Sequence, residues 1–188
     1  MDLEDIARGP ELGRENDNLG GVTTTIYVAE WPDVGEGNYW PATPADFSEA
    51  NVLPLLSLDI TAGDLYKIDD VVLYSGSVDD EQVGDEGGRA WMHKLTFDLP
   101  QIDANHLGFL SATTNARLVF FVPCNDGNIR IVGNDKFPAV RSTGNGRTAK
   151  KPDDAPGAGS TQEWTSYGPG PALLFGGAIS DLEDLLTA

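Results

Sequence analysis

The stretch that most limits how this chain can fold is the alternation of apolar and polar side chains over residues 89–99. Its clearest part runs from Leu95 to Leu99, where Thr96 and Asp98 separate three large apolar residues. A period of two is typical of a strand that has one buried face and one solvated face. The segment therefore predicts a long strand in a sheet covered on one side, and we expect Pro100 to end it.

A short helix and a β-hairpin are predicted directly after this strand. Residues 101–112 carry a short apolar stripe that consists of Ile102, Leu107, Phe109 and Leu110. Two β-rich runs, residues 116–123 and 129–133, follow and are separated by the turn Asn125–Asn128. This turn contains Asp126-Gly127, and Asp-Gly between β-rich runs is typical of a hairpin because glycine accepts a positive φ.

The other strand-like runs lie on both sides of this unit, which predicts one mainly β domain with extensions. We expect extended structure at residues 22–29, 52–60, 65–68, 71–78, 136–142 and 163–168, and residues 172–175 form a further apolar run. An N-terminal arm is expected over residues 1–20, a β-domain over 21–175, and a C-terminal extension over 176–188, in which Ser180 would cap a turn of helix. The predicted fold class is an antiparallel β-sandwich or half-barrel with one flanking α-helix.

Two polar segments are predicted to be loops. Residues 143–162 are rich in Gly, Ala, Pro, Asp and Lys and have no apolar anchor. A structureless segment of that length is unusual inside a compact domain, so we interpret it as a flexible interaction loop. Residues 79–88 read as an acidic loop before the long strand.

The charge balance disfavours direct binding to a nucleic-acid backbone. Thirty acidic residues stand against 12 Lys and Arg, which gives a formal net charge of −18. Binding to phosphates needs a basic patch, and the few clustered cations are Arg141, Arg147, Lys150 and Lys151. Two explanations of the acidity stay open, a surface adapted to high salt and a face that repels a polyanion.

The sequence also predicts a protein made in a reducing cytoplasm and outside membranes. Its acidic N-terminus has no apolar core of a signal peptide, and no apolar run approaches the ~20 residues of a membrane span. Cys124 is the single cysteine, so an internal disulfide is impossible.

Candidate sites for metals, hydrolysis and phosphate are weak at the level of sequence. His93, His106 and Cys124 have no paired ligand spacing. Ser, His and Asp are present, but no nucleophile elbow orders them into a triad. Residues 144–148 resemble a phosphate loop only faintly, because Gly-Lys-Ser/Thr and a following helix are missing. We therefore predict no catalytic, cofactor or metal residues, and no enzyme.

Two further groups allow a functional and a structural interpretation. The carboxylates of Asp79, Asp80, Glu81, Asp85 and Glu86 are hard ligands that could hold Ca²⁺, although their spacing does not match an EF-hand, and a solvated acidic loop is the simpler interpretation. Trp31, Trp40, Trp91 and Trp164 could stack against sugars. We expect Trp91 and Trp164 in the core, and Trp31 and Trp40 at an interface.

The order of these features resembles the tail tube proteins of tailed bacteriophages, particularly a group from phages of Bacteroidetes. The resemblance covers about residues 20–175 and rests on pattern and order, with no short diagnostic motif. In the first half of the chain it is carried by Gly20-Gly21-Val22 before residues 26–29 and by Gly88-Arg89 before residues 91–99. In the second half it is carried by the short helix, residues 118–122, the turn Asn125-Asp126-Gly127, and residues 130–134 ahead of Pro138-Ala139. This chain departs from the family in its acidity and its C-terminal extension.

The resemblance implies a virion structural protein that forms hexameric rings, which stack into a hollow tube lined by continuous β-sheet. The expected partners are further copies of itself and other tail proteins, and DNA passes through without specific binding. Two alternatives stay open: another tail ring, such as a terminator or distal tail protein, and a carbohydrate-binding β-sandwich module. Ring size, tail type and the sheet face that lines the lumen are left undecided.

Overall fold

The computed structural model describes residues 20–34, 52–53, 60–100, 103–134, 136–148 and 159–186. These ranges contain ten strands, a 3₁₀-helix at Trp31–Val34 and two α-helices, α1 at Ala104–Ala112 and α2 at Ile179–Glu183. The strands are β1 Ile26–Glu30, β2 Val52–Leu53, β3 Leu65–Ile68, β4 Ser77–Val83, β5 Ala90–Leu99, β6 Leu118–Pro123, β7 Ile129–Val132, β8 Val140–Arg147, β9 Gly159–Gly168 and β10 Leu173–Phe175.

The strands form two sheets, which confirms the predicted mainly β, sandwich-like fold with a flanking helix. A six-stranded sheet has the order β2-β10-β7-β6-β1-β3, and a four-stranded sheet has the order β4-β5-β9-β8. All strand pairs are antiparallel except β2 with β10.

The centre of the six-stranded sheet is buried on both faces. Every residue of its central strand β6 is buried, which is why that strand is continuously apolar instead of alternating. Phe121 packs on one side, with Phe175 and with Leu182 of α2 in the same cluster. Phe120 packs on the other side against Trp164 of the four-stranded sheet, with ring centroids 5.0 Å apart.

The long strand β5 follows the predicted alternation. His93, Leu95, Phe97 and Leu99 are buried, and the residues between them are partly exposed. The ten residues of β9 alternate in the same way, and their pairing with β5 runs from Trp91 opposite Gly168 to Leu99 opposite Ser160. The two central strands of the four-stranded sheet therefore have one dry face and one wet face, whereas the outer strands β4 and β8 have no buried residue.

The predicted hairpin is confirmed. Strands β6 and β7 pair from Phe120 with Val132 to Pro123 with Ile129. Gly127 has φ +85° in the connecting turn, which is the backbone conformation that the Asp-Gly step indicated.

The two helices differ from their predictions. Asp103 caps α1, since the backbone N–H of His106 donates to Asp103 Oδ1 at 2.8 Å, but no residue of α1 is buried. Leu107 is 51% exposed, so the apolar stripe does not form a core face; Ile102 lies outside the described residues. In α2 the capping position is Ala178 and not Ser180.

Both predicted loops are partly strand, so the loop prediction was wrong for residues 79–83, 143–147 and 159–162. Asp79, Asp80 and Glu81 belong to β4, whose pairing with β5 ends at Val83. Residues 143–147 belong to β8 and 159–162 to β9, paired from Thr143 with Glu163 to Arg147 with Gly159. A strand with few apolar residues still forms here because the ladder with β9 satisfies its backbone groups.

Other segment boundaries move or fall outside the described ranges. The strand expected from residue 71 begins at Ser77, and the strand expected from residue 136 begins at Val140. Between residues 52 and 60 the structure describes the short strand β2 and Ile60. Residues 1–19 of the predicted N-terminal arm, residues 149–158 of the predicted loop and residues 187–188 lie outside the described residues.

Candidate functional site

The wet face of the four-stranded sheet carries most of the charged side chains that this sheet exposes. Its residues alternate with the buried ones, which places on it the carboxylates of Asp79, Glu81, Asp98 and Glu163 and the cations of Lys94 and Arg147. We call this surface the acidic face. Acidic groups outnumber basic ones there, so the face repels polyanions at neutral pH.

An ion pair fixes the centre of the acidic face. Lys94 Nζ lies 2.7 Å from Glu163 Oε2, and the hydroxyl of Ser142 donates to Glu163 Oε1 at 2.7 Å. The hydrogen bonds from Lys94 and Ser142 hold the pKa of Glu163 below its usual value, and the same partner raises the pKa of Lys94. Both directions indicate a charged pair at neutral pH.

The two outer strands of this sheet have open edges. Within the described ranges, β4 pairs only with β5, and β8 pairs only with β9. An open edge presents unpaired backbone N–H and C=O groups, which can add a strand from another chain. Six of the eight residues of β8 are exposed, so this edge is accessible over most of its length.

A polar bridge joins the two sheets behind the acidic face. Asp80 Oδ1 lies 2.8 Å from His93 Nδ1 and accepts the backbone N–H of Ala172 at 3.1 Å. Asp80 Oδ2 lies 3.6 Å from Arg130 Nη1 on β7. One carboxylate, 15% exposed, thus connects β4, β5, β7 and the segment before β10.

A serine extends this bridge into the order of a hydrolytic triad. Asp80, His93 and Ser166 occupy facing positions on the adjacent strands β4, β5 and β9. Ser166 is 1% exposed, and its hydroxyl oxygen accepts the backbone N–H of Gly133 at 3.1 Å. A nucleophile needs access to substrate, so this row is better explained as a polar connection between the sheets. Sequence reasoning missed the row, because only the strand register brings these residues together.

The three residues that the sequence analysis considered as metal ligands lie in separate parts of the fold. His93 lies in β5, while His106 lies on α1 with its Nδ1 3.0 Å from Asp103 Oδ1. Cys124 pairs with Val22 in an isolated bridge, and burial is the main cause that raises the pKa of its thiol. Among the described residues, no three His, Cys, Asp or Glu side chains form a group that could hold a metal ion.

Most of the predicted acidic cluster and of the glycine-rich segment lies in strands instead of loops. Asp79 and Glu81 lie on the acidic face and Asp80 lies on the opposite face of the same strand, while Asp85 and Glu86 follow the strand. Alternation along β4 therefore separates the carboxylates that the loop interpretation had placed together. Residues 144–147 lie in the edge strand β8 instead of a phosphate-binding loop.

The tryptophans also separate. Trp164 is fully buried, as expected, whereas Trp91 is half-buried. Trp31 lies in the 3₁₀-helix beneath the Arg117 guanidinium, 5.7 Å from the ring centroid. These two residues border a cleft of about 530 Å³ between α1 and the end of β1, lined also by Glu30 and Asn115. Trp40, Lys150 and Lys151 lie outside the described residues.

In the part of the chain that the structure describes, neither helix has the length and apolarity needed to cross a membrane. Comparison of the chain with models of protein families, with curated proteins and with solved structures gives no match.

Proposed function

We propose that this chain is a virion structural protein, the subunit of stacked hexameric rings that form the tail tube of a bacteriophage and conduct DNA. The observation that supports the proposal most is the four-stranded sheet, which combines two open edges with an acidic, solvated face. The role is structural rather than enzymatic. The subunit is made in the host cytoplasm and functions in the virion.

The strand directions allow the sheet to continue from one subunit to the next. Neighbouring strands alternate in direction through β4, β5, β9 and β8, so β4 and β8 run in opposite directions. In a ring every subunit has the same orientation, and β8 of one copy would meet β4 of the next in antiparallel fashion. The two edges differ in charge, because β4 carries Asp79 and Glu81 and β8 carries Arg147.

The dimensions fit the passage of DNA. Six copies of a four-stranded sheet, with strands about 4.8 Å apart, close into a cylinder roughly 37 Å across between backbones. Side chains reach about 5 Å from each wall, half of the spacing between packed sheets, and leave a channel of about 27 Å. A ring of four copies would leave only about 14 Å. For strands parallel to the tube axis a DNA duplex fits the first channel and not the second, and the strand tilt of a closed barrel widens both.

The charge of the acidic face suits such a channel. If the face lines the lumen, six copies surround the DNA with carboxylates from Asp79, Glu81, Asp98 and Glu163. Like charges prevent the polyanion from adhering to the wall. The other face of the sheet packs on the six-stranded sheet, which would form the outer layer of the tube.

Electron microscopy of the purified protein tests the proposal. We expect hexameric rings or tubes with a central channel at high protein concentration, and their sheet lining would be visible in averaged images. A terminator or distal tail protein would give single rings that do not elongate. A monomer at every protein and salt concentration would contradict the ring proposal.

A carbohydrate-binding module is the alternative from a different class, and the cleft beside Trp31 is the observation that favours it. Its prediction is a monomer whose tryptophan fluorescence changes on addition of glycans and stops changing in Trp31→Ala. Rings that are indifferent to glycans would contradict it.

A further inference from the structure

A short turn before β4 presents three consecutive apolar side chains to solvent. Val72 is 37% exposed, Leu73 54% and Tyr74 82%. We call these three residues the apolar knob. Soluble proteins expose single apolar residues routinely, but a contiguous exposed group indicates a surface for interaction.

The backbone of the knob is held in an unfavourable conformation. Tyr74 has φ +64° and is the single non-glycine residue with a positive φ among the described residues. Bulky residues rarely adopt this region, because Cβ approaches the backbone. Strained residues of this kind concentrate at sites of binding and catalysis, and here the strain turns a large aromatic side chain outwards.

Hydrogen bonds on both sides keep the knob rigid. The N–H of Val72 donates to the Asp98 carbonyl at 2.8 Å, and the N–H of Ser75 donates to the Val72 carbonyl at 3.0 Å. The hydroxyl of Ser75 donates to the same Val72 carbonyl at 2.7 Å and accepts the N–H of Asp98 at 3.1 Å. A contact made by a rigid turn loses little conformational entropy on binding.

A second apolar surface lies at the opposite end of the four-stranded sheet. Phe137, Val140 and Tyr167 are 51%, 44% and 43% exposed, and we call them the end patch. Val140 faces Thr165 in the β8–β9 register, so Tyr167 is its diagonal neighbour, and both side chains lie at the end of the acidic face, with Phe137 beyond the strand. Buried Asn134 orders the patch, since its Nδ2 donates to the Tyr167 carbonyl and its Oδ1 accepts the N–H of Phe137.

The strand register places the two surfaces at opposite ends of β5. The knob is bonded to Asp98, near the C-terminal end of that strand, whereas Tyr167 pairs with Met92 near its N-terminal end. Six residues of antiparallel strand separate these positions by about 20 Å. Charges nearby are complementary, because exposed Asp70 precedes the knob and exposed Lys136 precedes Phe137. Asp69, next to Asp70, is paired with Lys67 at 3.0 Å.

We propose that the apolar knob of one subunit binds the end patch of a second copy of this chain, in a head-to-tail contact that joins successive rings. Two different surfaces at opposite ends make a heterologous contact, which repeats without closing and therefore builds a filament. The inference rests on the proposed function, in which strands that line the lumen end at the neighbouring rings. It assigns the stacking contact to named residues.

Two variants separate the two halves of the contact. Tyr74→Gly removes the aromatic side chain and suits φ +64° better than tyrosine, so the variant is expected to be at least as stable as the native protein. Phe137→Ser alters an exposed position of the end patch. Leu107→Ser, which removes a side chain of the same exposure (51% for both) from α1, is the matched control.

We expect each of the two variants alone to form single rings, with tubes requiring a protein concentration about tenfold to a hundredfold higher than the native chain needs. The control should form tubes like the native protein. A mixture of Tyr74→Gly and Phe137→Ser rings retains one complete contact, from the intact knob of the latter to the intact patch of the former. Sedimentation velocity should therefore show pairs of rings but no stacks of three or more rings.

Three results would overturn the inference, and they are distinguishable. Tubes of Tyr74→Gly at the native concentration would show that the knob does not stack rings, and would leave the ring proposal intact. Mixed variants that stay single rings would contradict the head-to-tail pairing of knob with patch. A native chain that stays monomeric would overturn both the inference and the proposed function.

Discussion

Asp80 is the residue on which the connection between the two sheets depends most. Its carboxylate contacts His93 of β5, Arg130 of β7 and the N–H of Ala172. Removing this partly buried carboxylate leaves its hydrogen-bond donors without an acceptor and Arg130 without its counter-charge, which is costlier than loss of an exposed pair. The neighbouring Asp79 lies on the acidic face and is exposed, and it provides a control of the same chemistry.

We predict that Asp80→Asn lowers the free energy of unfolding by about 2 kcal/mol, because the amide keeps the shape but loses the charge opposite His93 and Arg130. Asp79→Asn should change it by less than about 0.5 kcal/mol. Chemical denaturation at pH 7 measures both. Equal effects of the two substitutions would show that the bridge contributes little.

At the scale of elements, one arginine connects helix α1 to the four-stranded sheet. Arg141 of β8 donates from Nη1 to the Leu110 carbonyl at 2.9 Å and from Nη2 to the Thr113 hydroxyl. Its guanidinium also lies 4.9 Å from the centre of the Trp164 ring, and burial lowers its pKa. No residue of α1 is buried, and only His106, Phe109 and Leu110 are partly buried, so apolar packing alone attaches the helix weakly.

We predict that Arg141→Ala releases α1 while the sheets persist. Amide hydrogen exchange of residues 107–113 should accelerate at least about tenfold, corresponding to a local loss of about 1.4 kcal/mol or more, with protection of β5 and β9 retained. Arg147→Ala, which removes the arginine at the C-terminal end of the same strand β8, is the control. Unchanged exchange in α1 would show that other contacts hold the helix.

The elements that the sequence predicts well are those whose stability comes from apolar burial. The alternation of β5 and the continuous apolar run of β6 have the expected positions, because side-chain burial decides both. Strands β4 and β8 contain few apolar residues, and their order comes from ladders with β5 and β9. A backbone ladder leaves no pattern in composition, so both segments looked like loops.

The candidate surfaces could likewise not be predicted where they depend on strand pairing or on the fold. The acidic face could be anticipated only as a net charge, because the face on which a carboxylate lies depends on the strand that contains it. Asp80 and Asp79 are neighbours in sequence but lie on opposite faces of β4. The apolar knob could not be predicted from the sequence either, because residues 71–78 are typical of a single strand. The positive φ of Tyr74 is known only from the structure.

At the scale of the whole molecule, the net charge of −18 opposes any assembly of copies. At 0.01 M salt the Debye length is about 30 Å, so subunits in a ring repel one another across the channel; at 1 M it is about 3 Å. We therefore predict that ring and tube formation strengthens steadily as salt rises over this range. Dissociation of tubes on adding salt would instead show that ion pairs between subunits dominate.

Variants that remove carboxylates at two different places distinguish repulsion within the lumen from an effect of the whole surface. In the proposed ring, Asp79 and Glu81 line the channel, whereas Glu183 and Asp184 lie at the end of α2, behind the six-stranded sheet. The double variant Asp79→Asn/Glu81→Gln should assemble at lower salt than the native chain. Glu183→Gln/Asp184→Asn removes the same formal charge. These groups of one subunit would be far from those of the next on the outside of the tube, where water and salt screen them. It should therefore shift the salt midpoint much less in sedimentation velocity. Equal shifts would mean that the acidity acts on the whole surface alike, as adaptation to high salt requires, and that the acidic face has no special place in the ring.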